Sequence, residues 1–130
     1  MGNEGLLMST VGILDKLKTS LDQFGLPVYY GRSFASAKED WNYIIFNRHY
    51  INKTGKNSQD FNYYYQVHII MENYITEGFE IGLIQAVEEE TGLKLVDNSM
   101  EFNYATKNNS DTVIEMLTMV FTKPMKRCNL

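Results

Sequence analysis

Apolar residues recur at helical spacing in the first segment of the chain, where Leu7, Val11, Leu14, Leu17, Leu21 and Phe24 line one face. Asp15, Lys16, Lys18 and Asp22 fall on the other side. Gly25 is suited to the left-handed conformation at a helix end, and Pro27 prevents resumption, so a helix is predicted over Leu6–Phe24. A short extended piece follows at Pro27–Gly31, then a polar link around Ser33–Asp40. From Trp41 to Ile51 the residues are aromatic and β-branched, which predicts a strand. Phe61–Asn73 has the same character, and Asn52–Asp60 between them is polar and turn-favouring. The pair is therefore expected to form a long hairpin whose extended tip acts outside the domain.

Helical spacing returns at Phe79, Leu83, Ala86 and Val87, which predicts a second helix over Gly78–Thr91 closed by Gly92 and Leu93. Glu88, Glu89 and Glu90 crowd its unfavourable, negative end, and a solvated face accounts for them. Leu93–Val96, Met100–Tyr104 and Thr112–Thr122, with a turn at Thr106–Asp111, predict a last hairpin ending at Pro124. The expected fold is α+β: a mainly antiparallel sheet with a long hairpin and two helices packed on one face.

Length sets one domain spanning residues 1–130, with a tail from about Lys123, and composition keeps it ordinary: 44% hydrophobic and 22% charged. Aromatic content, at 13%, is high and favours contact surfaces. The net charge of −4 argues against wholesale binding to nucleic-acid backbones. Cys128 is the single cysteine, so an internal disulfide is excluded and a reducing compartment fits. Met1–Thr10 matches no export signal, and no apolar run is long enough to span a membrane, so assembly in the cytosol is expected without membrane association.

Catalytic chemistry finds little support. His49 and His68 could face each other across the long hairpin near Glu72, but no third ligand has a characteristic spacing. No nucleophile elbow, phosphate loop or cofactor motif occurs, so no catalytic residue, metal or cofactor is expected. The strands themselves carry the stronger signal. Trp41, Tyr43 and Ile45 alternate with Ile44, Phe46 and Tyr50, and Val113, Leu117, Met119 and Phe121 alternate with Ile114, Met116 and Val120. Both faces of these strands are apolar, more than two helices should cover, so loops or another subunit must shield the rest. Trp41, Tyr43, Phe46, Ile114, Met116 and Val120 are the candidates for a subunit interface. The basic residues Lys123, Lys126 and Arg127 could dock a complementary protein surface or approach DNA.

Leu26-Pro-Val-Tyr-Tyr-Gly31, Trp41-Asn-Tyr-Ile-Ile-Phe46, Tyr65-Gln-Val-His-Ile-Ile-Met-Glu72, a helix ending Glu90-Thr-Gly-Leu-Lys94 and a last strand reaching Phe121-Thr-Lys-Pro124 succeed one another in an order that resembles the neck and tail-completion proteins of long-tailed bacteriophages. Among these the chain is most similar to tail terminators, and the resemblance covers most of its length. It implies a structural virion protein that forms a ring, usually of six copies, at the head-proximal end of the tail tube. Such a ring ends tube growth and offers the surface for head–tail joining. The partners implied are further copies of the chain, the tail tube protein and a neck or head-completion protein, with passing contact to DNA in the channel. The apolar strand faces would be ring contacts, and Lys53 and Lys56 would touch the tube or channel. Head-completion or stopper proteins share this size and geometry, and a cytosolic protein-binding regulatory module is the rival from another class.

Overall fold

The computed structural model describes residues 12–33, 35–36, 38–53, 61–97, 99–108 and 110–125. Helix α1 (Ile13–Asp22) is followed by strands β1 (Val28–Tyr30), β2 (Tyr43–Lys53) and β3 (Phe61–Glu72). Helix α2 (Phe79–Thr91) leads to β4 (Lys94–Leu95), β5 (Glu101–Thr106) and β6 (Val113–Met125). The six strands form one sheet in the order β1-β2-β3-β6, with β4 and β5 both paired to the outer side of β6. Only the β1–β2 pairing is parallel. The fold is α+β, as the periodicities require.

Cross-strand partners share a face, so the register shows how the core is built. Ile44, Ile69 and Leu117 make one row, Phe46, Val67 and Met119 the next, and Tyr65, Phe121 and Leu95 a third. Leu17 and Leu21 of α1 and Leu83 and Val87 of α2 pack onto these rows in one core. Both helices therefore cover the same face. Phe24 and Phe79 meet edge to face at 5.6 Å where the helices approach.

Helix α2 stops where the sequence indicates, at Gly92 with φ 82°, but α1 is shorter than expected: Gly12 before it is extended, and it ends at Asp22 with Gln23 as its cap, two residues before Phe24, so that Gly25, with φ 77°, turns the chain only beyond it. The acidic end of α2 is more than a solvated face. Glu88 Oε2 accepts the Leu95 N–H at 2.9 Å, which fixes β4, and the Glu90 carboxylate accepts from Gln23 Nε2 at 2.9 and 3.0 Å, which ties α1 to α2. The Lys123 ammonium also lies over Gly92, so the negative end of the helix receives a cation. An added Cβ at Gly92 would sit 3.2 Å from that flexible nitrogen, so the backbone conformation sets the cost of a side chain. Gly92→Ala should lower unfolding free energy by about 1–2 kcal/mol, and Gly92→Asn by less. Urea titration measures both, and equal losses would refute the conformational explanation.

Pro124 does not end the last strand. Val120 O accepts the Val96 N–H, so even-numbered residues of β6 turn their backbone groups away from β3. The missing N–H of Pro124 falls on that outer side, and the strand continues to Met125, which pairs with Phe61. Lys123 is consequently part of the sheet and not of a tail.

Candidate functional site

Four rows occupy the middle of the helix-free face, between Glu72 and Ile114 at one end and Asn52 and Asn62 at the other, and their chemistry changes along the strands. Tyr43, Ile70 and Met116 form the first row, Ile45, His68 and Thr118 the second, Asn47, Gln66 and Val120 the third, and Tyr50, Tyr64 and Thr122 the fourth.

A loop covers the first row. Ala35 and Trp41 pack on a second, smaller core of Tyr43, Ile70 and Ile114. Glu72 secures this lid: its Oε2 accepts the Trp41 N–H at 2.8 Å and the Lys107 ammonium at 2.7 Å, while its own N–H donates to Asn42 Oδ1 at 3.1 Å. Lys107 also donates to Glu39 O at 2.6 Å and sits 5.5 Å from the Trp41 ring centre. The Lys107 hydrogen bond, followed by that from Trp41, holds the Glu72 carboxyl below the usual glutamate range. Among the interface candidates, Tyr43 (8% exposed) and Ile114 (4%) are thus already buried inside the chain. Phe46, 3% exposed, lies on the other face beneath the helices. These three cannot be free subunit contacts, because the chain's own lid and helix layer occupy the surface they would offer. Trp41, Met116 and Val120 are half-buried on the helix-free face.

The middle rows hold a polar network. Asn47 Nδ2 donates to Gln66 Oε1 at 2.9 Å, which leaves Asn47 Oδ1 to accept from His68 Nε2 at 3.1 Å. His68 Nδ1 then accepts the Thr118 hydroxyl at 2.9 Å, so a neutral ring protonated on Nε2 satisfies every partner. Burial, and secondarily His49, lower the His68 pKa below 6.5. The unfolded chain therefore binds this proton more readily than the fold does, and the associated stability is full above about pH 6.5 and lost as pH falls through the folded pKa. His68→Gln should flatten the decline of urea-derived stability between about pH 6.5 and 5. An unchanged slope would refute this assignment.

His49 does not face His68. It is the extra residue of a bulge between Arg48 and Tyr50, and its ring lies 4.8 Å from that of Tyr50. Both His68 nitrogens are engaged, and among the described residues no three His, Cys, Asp or Glu side chains gather as a metal site. The bulge also reverses the side-chain alternation. Tyr50 moves to the helix-free face and stacks on Tyr64 with ring centres 4.3 Å apart and planes 5° apart. Burial, then Tyr64, raise its hydroxyl pKa.

Of the basic candidates, Lys53 ends β2, and the ammonium of Lys123 lies beside Gly92 at the end of α2. Lys56, Lys126 and Arg127 lie outside the described residues. Sequence reasoning missed the Tyr50–Tyr64 stack, the network of Asn47, Gln66, His68 and Thr118, and the Glu72–Lys107 clamp. The polar positions 47, 66, 68 and 118, which interrupt otherwise apolar strands, were the available signal for the network. Among the described residues, no helix is long and apolar enough to cross a membrane. No protein-family model matches the chain, and no curated protein matches it.

Proposed function

We propose that this chain is a structural protein of a long-tailed bacteriophage neck, a tail terminator that forms a ring, of about six copies, on the head-proximal end of the tail tube. The ring ends tube growth by offering incoming tube subunits no matching face, and it presents the surface to which the head joins. One observation carries the reading: on the helix-free face past the lid, apolar Val120 and Tyr64 are only half-buried and Tyr50, stacked on Tyr64, is 47% exposed. A face of aromatic, apolar and mutually bonded polar groups suits protein contact better than chemistry. The element order, with two helices on one face and the long strands β2 and β3 paired antiparallel, supports the resemblance.

Lys53 and Lys56 on the hairpin contact the tube or the channel, and Lys123, Lys126 and Arg127 contribute to docking. Assembly takes place in the host cytoplasm and the product belongs to the virion. Electron microscopy of the purified chain mixed with tail tubes of its own phage tests this. Rings capping one tube end are expected. Binding confined to portal-bearing heads would replace the terminator by a stopper, and binding to neither would overturn the phage assignment.

A further inference from the structure

Beyond the short edge strands β1 and β4, two longer stretches of sheet edge lack a strand partner among the described residues, and they lie on opposite sides of the sheet. One is β5, which pairs only with β6. The other is β2 from Asn47 to Lys53, beyond its pairing with β1. Every residue of β5 is exposed, including Phe102 (47%) and Tyr104 (64%). It carries no proline, no lysine and no bulge in its register, the devices that blunt an edge against pairing. Such an edge calls for a partner strand.

Backbone directions identify which strand fits. Lys107 N donates to Thr112 O, so alternation turns the outward groups of β5 to Phe102, Tyr104 and Thr106. On β2, Ile44 N donates to Pro27 O and Phe46 O accepts from Gly31 N, so before the bulge the even residues face outward. Tyr30 Oη accepts the outward N–H of Arg48 at 3.4 Å. After the bulge, Tyr50 and Asn52 pair inward with Tyr64 and Asn62, leaving Ile51 and Lys53 to face outward. The side chains of Ile51, Phe102 and Tyr104 all belong to the helix-covered face, opposite Tyr63, Leu117 and Glu115.

Three conditions then agree. In an antiparallel ladder, residues 51 and 53 paired with outward residues of β5 keep both helix layers on the same side. Three antiparallel steps, β2–β3, β3–β6 and β6–β5, make β5 run opposite to β2, so a second copy in the same orientation presents its β2 antiparallel to this β5. The charges also match. Arg48 and Lys53 lie on the helix-covered face of β2, opposite Tyr65 and Phe61, and on that same face β5 borders a groove of about 650 Å³ lined by Glu77, Glu80 and Glu115 with Tyr74 and Phe102, whereas Glu101, opposite Thr118, turns to the other face. Lys107, which follows β5, is committed to Glu72. The bulge and cations of β2 reject basic or featureless strands and admit one bordered by acidic groups.

We propose that β5 of one copy pairs antiparallel with the free end of β2 in the next copy, joining the sheets edge to edge. The proposal rests on the ring reading and names the contact that builds the ring. The two edges differ, so the contact is head to tail, and copies related by a fixed rotation close on themselves. The bulge bends β2 at the joint and supplies curvature.

Sedimentation velocity of the full chain over a concentration series tests the contact. Glu77→Lys with Glu80→Lys, and Arg48→Glu with Lys53→Glu, should each weaken self-association at least about tenfold. All four together should restore it, since every copy then offers a basic groove beside β5 to an acidic β2. Phe102→Pro removes an outward N–H without touching the β6 ladder and should abolish association, whereas Phe102→Val should retain it. A quadruple variant as weak as its parents, native association in Phe102→Pro, or a wild-type chain that stays monomeric at about 1 mM would each overturn the proposal. Rings on tail tubes without rescue would reject the edge contact alone. Rescue without rings on tubes would uphold the contact and reject the tail assignment.

Discussion

Phe46→Ala is expected to lower the unfolding free energy of the isolated chain by about 3–5 kcal/mol, the cost of emptying an aromatic site in a close-packed core. Phe46 shares a row with Val67 and Met119 beneath the helices, and the Tyr30 ring meets it edge to face at 5.1 Å. Neither neighbour can refill the space. Val67 is held by ladders on both sides and Met119 by its pairing with Val67, and Tyr30 is half out in solvent with its hydroxyl engaged at Arg48. Phe46→Leu keeps most of the volume and should cost about half as much. Urea denaturation of dilute, monomeric protein separates this from an interface role. A ring contact would lose association and keep monomer stability, and a midpoint unchanged by Phe46→Ala would contradict the core placement.

That placement shows what alternation along a strand can and cannot convey. Ile44 and Phe46 opposed to Tyr43 and Ile45 is legible as two apolar faces, yet nothing local says on which face the helices settle. The choice depends on the stripe of Leu17 and Leu21 meeting Leu83 and Val87, residues more than sixty positions apart. The end of α2 was legible because Gly92 acts on its own backbone, through a left-handed φ that other residues rarely adopt, whereas α1 closes at Asp22 through the αR turn of Gln23, ahead of Gly25. The bulge at His49 was not. Arg48-His49-Tyr50 contains no glycine or proline, and the irregularity arises from its pairing with Tyr64 and Tyr65, so the side of Tyr50 was assigned to the wrong face. Pro124 was misjudged for a similar reason: whether its nitrogen faces a partner is decided by the parity of the whole β6 ladder. As for the candidate site, the apolar surplus on β2 and β6 was visible, but its partial closure by a lid was not. That closure runs through Glu72 to Trp41 and Lys107, contacts 31 and 35 residues apart in the chain.

Trp41→Ala should open this lid. The indole caps the second core, its Nε1 donates to Ser36 O at 3.0 Å, and its face lies under the Lys107 ammonium. The ring is half-buried, so about 2 kcal/mol of unfolding free energy should be lost, less than for a wholly buried tryptophan. A second effect distinguishes a lid from an ordinary packing residue. Without the indole, the loop before Tyr43 keeps only the Glu72 and Lys107 hydrogen bonds, and the apolar surface of Tyr43, Ile70 and Ile114 becomes reachable. The native variant should then bind a hydrophobic dye that the wild type excludes, while Trp41→Phe should exclude it. Absence of dye binding with wild-type stability would remove the lid from the account. If Trp41 were instead a ring contact, Trp41→Ala would depress self-association and leave the monomer intact. An edge-to-edge ring through β2 and β5 requires the reverse: association preserved in a chain that unfolds more readily, because the lid lies beside Tyr43 and the joint lies at Ile51 and Lys53, eight and ten residues further along the same strand.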